Sequence, residues 1–207
     1  MPINLPTLYP ITDTVVSGLS HAEQVRRLCA GGAILIQLRE KEMSPREFHQ
    51  EAKAALIVAR SYGARIIIND RADLALTLGA DGVHLGQDDL PPAAARRLLG
   101  KDAIIGLSTH TLEQAKAAAG LPIDYIAIGP IFETKSKVNP DAVVGLEGLR
   151  RVRRSVGDVP LVAIGGIGLP DLKNVLDAGA DSVAVISLLL ADYTQIEART
   201  RDILASG

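Results

Sequence analysis

Eight short apolar runs recur along this chain, and between most of them the hydrophobic spacing switches to the one-sided periodicity of a helix. The runs are Thr7 to Thr12, Ala33 to Leu38, Arg65 to Ile68, Gly82 to Leu85, Ala103 to Leu107, Tyr125 to Ile128, Leu161 to Ile164 and Ser182 to Ile186. Near-continuous apolar runs of this length suit parallel strands buried on both faces. Helical patterns fill intervals such as Ser44 to Tyr62, Pro91 to Leu99, Leu112 to Ala119, Leu146 to Ser155 and Pro170 to Ala178. Ser44 before Pro45 reads as an N-cap followed by proline at the first helical position, and Thr111 precedes a turn containing Glu113.

Eight strands alternating with helices in 207 residues predict an α/β chain, a (β/α)8 TIM barrel forming a single domain over residues 1–207. The rival is a doubly wound open sheet, which usually has fewer strands and often a glycine-rich turn after the first. Here the first strand enters Asp13-Thr14-Val15-Val16 instead. Gly79-Ala80-Asp81 and Gly179-Ala180-Asp181 form a weak internal repeat at the helix-to-strand joints, with Gly31-Gly32-Ala33 in the equivalent place earlier.

Composition narrows the function classes. With no Trp and 3% aromatics, aliphatic residues must fill the core. A net charge of −2 argues against a nucleic-acid binder that works by neutralising phosphates. No segment is apolar for long enough to span a bilayer, and Met1-Pro2-Ile3-Asn4-Leu5-Pro6 lacks the basic start of a signal peptide, so no membrane partner and a cytoplasmic location are expected. The one cysteine, Cys29, sits in a helical pattern and reads as a packed thiol. The sequence leaves open whether the chain forms a homo-oligomer.

In a barrel, the loops after the C-terminal ends of the strands build the site. Polar residues fall there strand after strand: Asp13; Gln37, Arg39 and Lys41; Asn69 and Asp70; Gln87 and Asp89; Ser108 and His110; Thr134 to Lys137; Gly165 and Gly166; Ser187. Arg39 and Lys41 alternate with Glu40, so both cations share the barrel mouth, Arg as a bidentate fork for phosphate and Lys as a mobile point charge. The plainer reading pairs them with Glu40 and Glu42. Asp70 and Asp89 end consecutive strands and are placed to share one Mg2+, which typically takes one or two carboxylates and completes its shell with water and substrate phosphate. Otherwise Asp70 would pair with Arg71, and Asp89 would cap the helix near Pro91.

Gly165 and Gly166 end the seventh strand and Ser187 follows the eighth, where barrels often hold a phosphate on backbone N–H groups. A tight turn at positive φ is the competing reason for the two glycines. The long connection from Gly129 to Gly145 carries hydroxyls and lysines suited to a phosphate-closing lid. His84 is expected to pack within its strand, and His110 lies nearer the mouth. Two anion sites and one divalent metal predict two small phosphorylated substrates.

Taken in order, Leu8-Tyr9-Pro10-Ile11-Thr12-Asp13, Gln37 to Lys41, Ile68-Asn69-Asp70-Arg71, Gly82 to Asp89, Gly106-Leu107-Ser108-Thr109-His110, Gly129-Pro130-Ile131-Phe132 and Ala163-Ile164-Gly165-Gly166-Ile167 resemble the thiamine phosphate synthase family. The resemblance spans almost the whole chain. It implies a (β/α)8 transferase that joins 4-amino-5-hydroxymethyl-2-methylpyrimidine diphosphate to 4-methyl-5-(2-hydroxyethyl)thiazole phosphate, giving thiamine phosphate and pyrophosphate. By resemblance, Gln37, Leu38, Arg39, Glu40, Lys41, Asn69, Ser108 and Lys137 hold the pyrimidine diphosphate, and Arg39, Lys41, Ser108 and Lys137 act in catalysis. Thr134, Lys135, Ser136, Gly166, Ile186 and Ser187 surround the thiazole phosphate, and Asp70 and Asp89 bind Mg2+. Glu133 stands where the family commonly has proline, and either Lys135 or Lys137 serves as the pyrophosphate lysine. Thiazole tautomerases share Phe-Glu-Thr, but they tend to carry His where this chain has Pro130 and lose much of the metal and pyrophosphate set. A binding-only barrel is the alternative of a different class.

Overall fold

The computed structural model describes residues 3–134 and 141–206. Eight parallel strands pair in chain order and close when β8 returns to β1. They are β1 Leu8–Thr12, β2 Leu35–Leu38, β3 Arg65–Asn69, β4 Gly82–Leu85, β5 Ile104–Thr109, β6 Tyr125–Ile128, β7 Leu161–Ile164 and β8 Ser182–Val185. The helices are α1 Thr14–Ser17, α2 His21–Ala30, α3 Pro45–Ser61, α4 Ala72–Leu78, α5 Pro92–Leu99, α6 Leu112–Ala118, α7 Gly145–Val156, α8 Leu172–Asp177, α9 Ser187–Leu190 and α10 Ile196–Ala205. The expected single-domain barrel is what forms. None of the helices among the described residues is long and apolar enough to cross a membrane.

The apolar runs look continuous because the strands bury both faces. Alternate residues divide between two apolar bodies. Leu8, Ile36, Leu38, Ile66, Ile68, Val83 and Leu85 point outward into the layer beneath the helices. Tyr9, Ile11, Leu35, Ile67, Ile104, Tyr125, Val162 and Ala184 fill the barrel itself, with Ile3 and Leu5 packed against them. At Gly106 an inward glycine makes room for a ring: a Cβ there would lie 2.0 Å from Tyr125 Cζ.

The helix starts follow the sequence signals. Ser44 accepts from Glu47 N while the Glu47 side chain accepts from Ser44 N, completing a capping box with proline in the first turn of α3. Thr111 caps α6 through Gln114 N. Several boundaries differ by a residue or two. β2 begins at Leu35, because Ala33 N is used to close α2 on Leu28 O. β5 runs on to Thr109, and the helix expected from Pro170 opens as a 3-10 turn at Leu169–Asp171 before α8.

The weak sequence repeat has a structural cause on the face opposite the strands' C-terminal ends. Asp81 Oδ2 accepts from Ile66 N, Asp124 Oδ2 from Ile105 N and Asp181 Oδ2 from Leu161 N, each at 2.7 Å. Arg96 of α5 and Arg153 of α7 reach the second and third of these carboxylates, and Arg60 of α3 binds Gly79 O beside the first. The brace therefore recurs every second strand, each time tying a helix and two strand starts together.

Candidate active site

The strands' C-terminal ends surround a cavity of about 670 Å³. The alternation of β2 carries on past its end, and this decides which loop residues face the cavity. Gln37, Arg39 and Lys41 line it, whereas Leu38 and Glu40 do not. Leu38 is buried in the helix-facing layer. Glu40 Oε1 accepts from the N–H groups of Lys41, Glu42 and Met43 at 2.7, 2.7 and 3.3 Å. Its Oε2 accepts from Thr14 Oγ1 at 2.8 Å and lies 3.3 Å from His21 Nε2. Burial alone would raise the Glu40 pKa, but these hydrogen bonds bring it down to about 2. The side chains of Leu38 and Glu40, expected among the ligand-binding set, lie outside the cavity lining.

Arg39 and Lys41 pair elsewhere than with Glu40 and Glu42. Arg39 Nη1 lies 2.6 Å from Asp13 Oδ2, and Lys41 Nζ lies 2.5 Å from Asp70 Oδ2. Partly exposed pairs of this kind are worth only ~0–1 kcal/mol, so a phosphate can displace the carboxylates.

Asp70 is the one non-glycine among the described residues with positive φ, at 61°. Its N–H donates to His84 O at 2.7 Å, and the turn carries its carboxylate over the cavity. Holding a non-glycine residue there costs roughly 1–2 kcal/mol. Arg71, its alternative partner, pairs with Asp73 instead. Asp89 Oδ2 accepts from Gly86 N at 2.7 Å, while α5 has Pro91 at its N-cap and no side-chain cap. Burial and the neighbouring Asp70 carboxylate push the Asp89 pKa up against the opposing Gly86 N–H.

Asp70 and Asp89 are therefore two hard oxygen donors set side by side, the Asp70 carboxylate helping to hold the Asp89 pKa up. That donor set fits a divalent cation brought in with a diphosphate. Among the described residues no group of three or more His, Cys, Asp or Glu side chains gathers into a full metal cage. A Mg2+ shared with substrate needs none.

Across the cavity, Gly165 and Gly166 have φ of 98° and 69°. A Cβ on Gly165 would meet Pro130 Cβ at 2.6 Å, and one on Gly166 would meet Glu133 O at 2.3 Å. Both reasons for glycine, the turn and the close approach, hold at once. Thr134, Ile186 and Ser187 line the same wall, and no side chain caps the first turn of α9. Lys135, Ser136 and Lys137 lie outside the described residues.

Asn69 and Ser108 complete the lining from β3 and β5. Beneath them runs a row of polar groups that sequence reading did not assemble: Gln37 Nε2 to Tyr9 OH at 3.3 Å, Tyr9 OH to Tyr125 OH at 3.0 Å, Tyr125 OH to His84 Nδ1 at 2.9 Å, and His84 Nε2 to Ser108 Oγ at 2.8 Å. Burial pushes Tyr9 up to about 12 and Tyr125 well above its ordinary range, and pulls His84 down to about 4, so all three are neutral near pH 7. His84 does more than pack within its strand: it faces the cavity. Strand parity was the available signal, since Tyr9, His84 and Tyr125 occupy inward positions. His110 Nδ1 donates to Gly129 O at 2.7 Å at the rim.

The sequence pattern described as thiamine monophosphate synthase matches residues 8–189. The thiamine-phosphate synthase of Koribacter versatilis is 47% identical over 99% of this chain and 98% of its own. That of Syntrophomonas wolfei is 44% identical over 94% and 93%. Among solved structures, the thiamine phosphate pyrophosphorylase from Pyrococcus furiosus superposes with a TM-score of 0.85 at 36% identity, covering 98% of this chain and 97% of that one.

Proposed function

This chain belongs to the thiamine monophosphate synthase family and is a transferase of thiamine biosynthesis, and we propose that the cavity described above is where its two substrates meet. They are 4-amino-5-hydroxymethyl-2-methylpyrimidine diphosphate and 4-methyl-5-(2-hydroxyethyl)thiazole phosphate, and the products are thiamine phosphate and pyrophosphate. The observation that carries the assignment is the pairing of Arg39 and Lys41 with Asp13 and Asp70 on one rim, opposite the Gly165–Gly166 turn.

Arg39 and Lys41 leave their carboxylate partners to hold the diphosphate, with Lys137 or Lys135 from the following loop. Asn69, Gln37 and Ser108 hold the pyrimidine end. The thiazole phosphate lies against Gly166, Ile186 and Ser187, with Thr134, Lys135 and Ser136 alongside. Asp70 and Asp89 are the residues that would hold Mg2+, which supplies charge neutralisation for the departing pyrophosphate.

The C–O bond between the pyrimidine methylene and the diphosphate breaks, and pyrophosphate leaves with the electron pair. The electron-rich aminopyrimidine delocalises the resulting cation, and the thiazole nitrogen then forms the C–N bond. No protein nucleophile takes part, so the residues serve to orient two anions and keep water from the cation. Arg39 and Lys41 stabilise the charge that builds on the leaving group. The 207 residues act as one domain in this account. We further propose a cytoplasmic location, since neither phosphorylated substrate crosses a membrane unaided.

Pyrophosphate release with both substrates and Mg2+ tests the assignment. Release coupled to thiamine phosphate formation, abolished by chelator and by Asp70→Ala, is expected. Folded protein that released none would return the weight to a tautomerase or a binding-only barrel.

A further inference from the structure

The buried row from Gln37 to Ser108 holds more than its separate contacts. Each of its members has one proton to pass on in this direction. The Gln37 amide nitrogen donates to Tyr9 OH, and carrying that direction along the row would send the Tyr9 proton to Tyr125 and the Tyr125 proton to His84 Nδ1. His84 Nδ1 is then bare, which puts its proton on Nε2, and Nε2 donates to Ser108 Oγ. Two groups remain at the ends. The Gln37 carbonyl Oε1 is left as an acceptor and the Ser108 hydroxyl as a donor, and both residues line the cavity.

We propose that this row has a single fixed polarity, in which Tyr9, Tyr125 and His84 are positioning residues that present an acceptor at Gln37 and a donor at Ser108 to the pyrimidine diphosphate. The proposal rests on the reading of Gln37 and Ser108 as binding residues. An aminopyrimidine suits such a cavity, because its amino group donates while its ring nitrogens accept from another edge. Reversing the row would turn the Ser108 proton inward to His84 and flip the Gln37 amide, so that the donor and the acceptor offered to the ligand exchange ends. Tyr125 is fully buried and is absent from the cavity lining, so it influences a ligand only through its neighbours. Gly106 keeps the space its ring needs.

Long-range 1H–15N correlation of the histidine rings in the labelled full chain at pH 7 reads the polarity directly, with His84 assigned by its loss in His84→Gln. A protonated Nε2 and bare Nδ1 are expected, and a protonated Nδ1 overturns the proposal whatever the variants do. In kinetics, Ser108→Ala and Tyr125→Phe should each raise KM for the pyrimidine diphosphate about fivefold, the scale of one hydrogen bond, and leave KM for the thiazole phosphate unchanged. Combined with Ser108→Ala, Tyr125→Phe should add less than about twofold, because neighbours in one network couple. Fully multiplicative effects would overturn the relay with Ser108 binding intact. An unchanged KM in Ser108→Ala would remove the binding assignment and the proposal with it.

Discussion

Replacing Gly106 with alanine would place a methyl carbon 2.0 Å from Tyr125 Cζ and 2.4 Å from its Cε2 and hydroxyl. Ordinary contact begins near 3.4 Å, so the ring would have to retreat by about 1.4 Å. Little space receives it, because Tyr125 meets Tyr9 edge-on at 5.9 Å between centroids and stacks on His84 at 5.6 Å. Overpacking a dense core typically costs 1–3 kcal/mol, and a blocked ring belongs at the upper end, roughly 3 kcal/mol. At about 2–4 °C per kcal/mol for a chain of this size, Tm should fall by roughly 6–12 °C. Urea unfolding followed by far-UV circular dichroism measures the free energy, and a thermal scan measures Tm. Tyr125→Leu removes the obstructing ring atoms, so in the double variant the alanine methyl occupies part of the vacated space. The loss should then fall short of the sum of the single losses by about 2 kcal/mol. A Gly106→Ala protein within ~1 kcal/mol of the parent, or strictly additive losses, would refute the steric argument.

His84 makes the fold acid-sensitive in a defined window. Its ring stays neutral in the fold down to about 4 while the unfolded chain takes up a proton below about 6.5. The stabilisation is complete above pH 6.5 and drains away as pH falls toward 4, amounting to about 2 kcal/mol lost between pH 6.5 and pH 5. Urea midpoints at pH 7 and 5 should converge more in His84→Gln than in the parent, and equal slopes would count against it. Glu40→Ala frees three backbone N–H groups of the Arg39–Met43 turn, so kcat/KM for the pyrimidine diphosphate should drop at least tenfold although Glu40 does not line the cavity; unchanged steady-state kinetics would show that the turn holds without it. Ser182 Oγ is buried without a hydrogen-bond partner among the described residues, so Ser182→Ala should leave stability equal or raise it by up to ~1 kcal/mol in urea unfolding, and a clear loss would reveal a partner.

All eight strands were legible because each is buried on both faces and mostly apolar, a pattern that survives without knowledge of the partners. Helices with strong caps, such as α3 with Ser44, Pro45 and Glu47, were equally plain. α4 leaves a weaker trace in the sequence because it has only seven residues and its N-cap, Arg71, provides no side-chain cap. At the site, strand parity made Gln37, Arg39 and Lys41 readable, since alternation continues beyond the last ladder bond. The same parity, applied to Leu38 and Glu40, argues for their outward roles. What no local pattern contained was distance across the barrel: Tyr9 and Tyr125 are 116 residues apart in the chain and hydrogen-bonded in its centre. The choice of Asp13 over Glu40 as the partner of Arg39 is likewise set by the pairing of β1 with β2, which brings the first two strand ends together.

The Asp81, Asp124 and Asp181 braces stand at the end of the barrel away from the chemistry. Their recurrence at alternate strands has an evolutionary consequence. Mutations that retune ligand preference fall on loops that none of the braces uses, and mutations that adapt the chain to heat or cold have their own targets at the other end. Drift in one property therefore need not drag the other along, which leaves the mouth of such a barrel free to acquire new substrates while its foundations stay fixed.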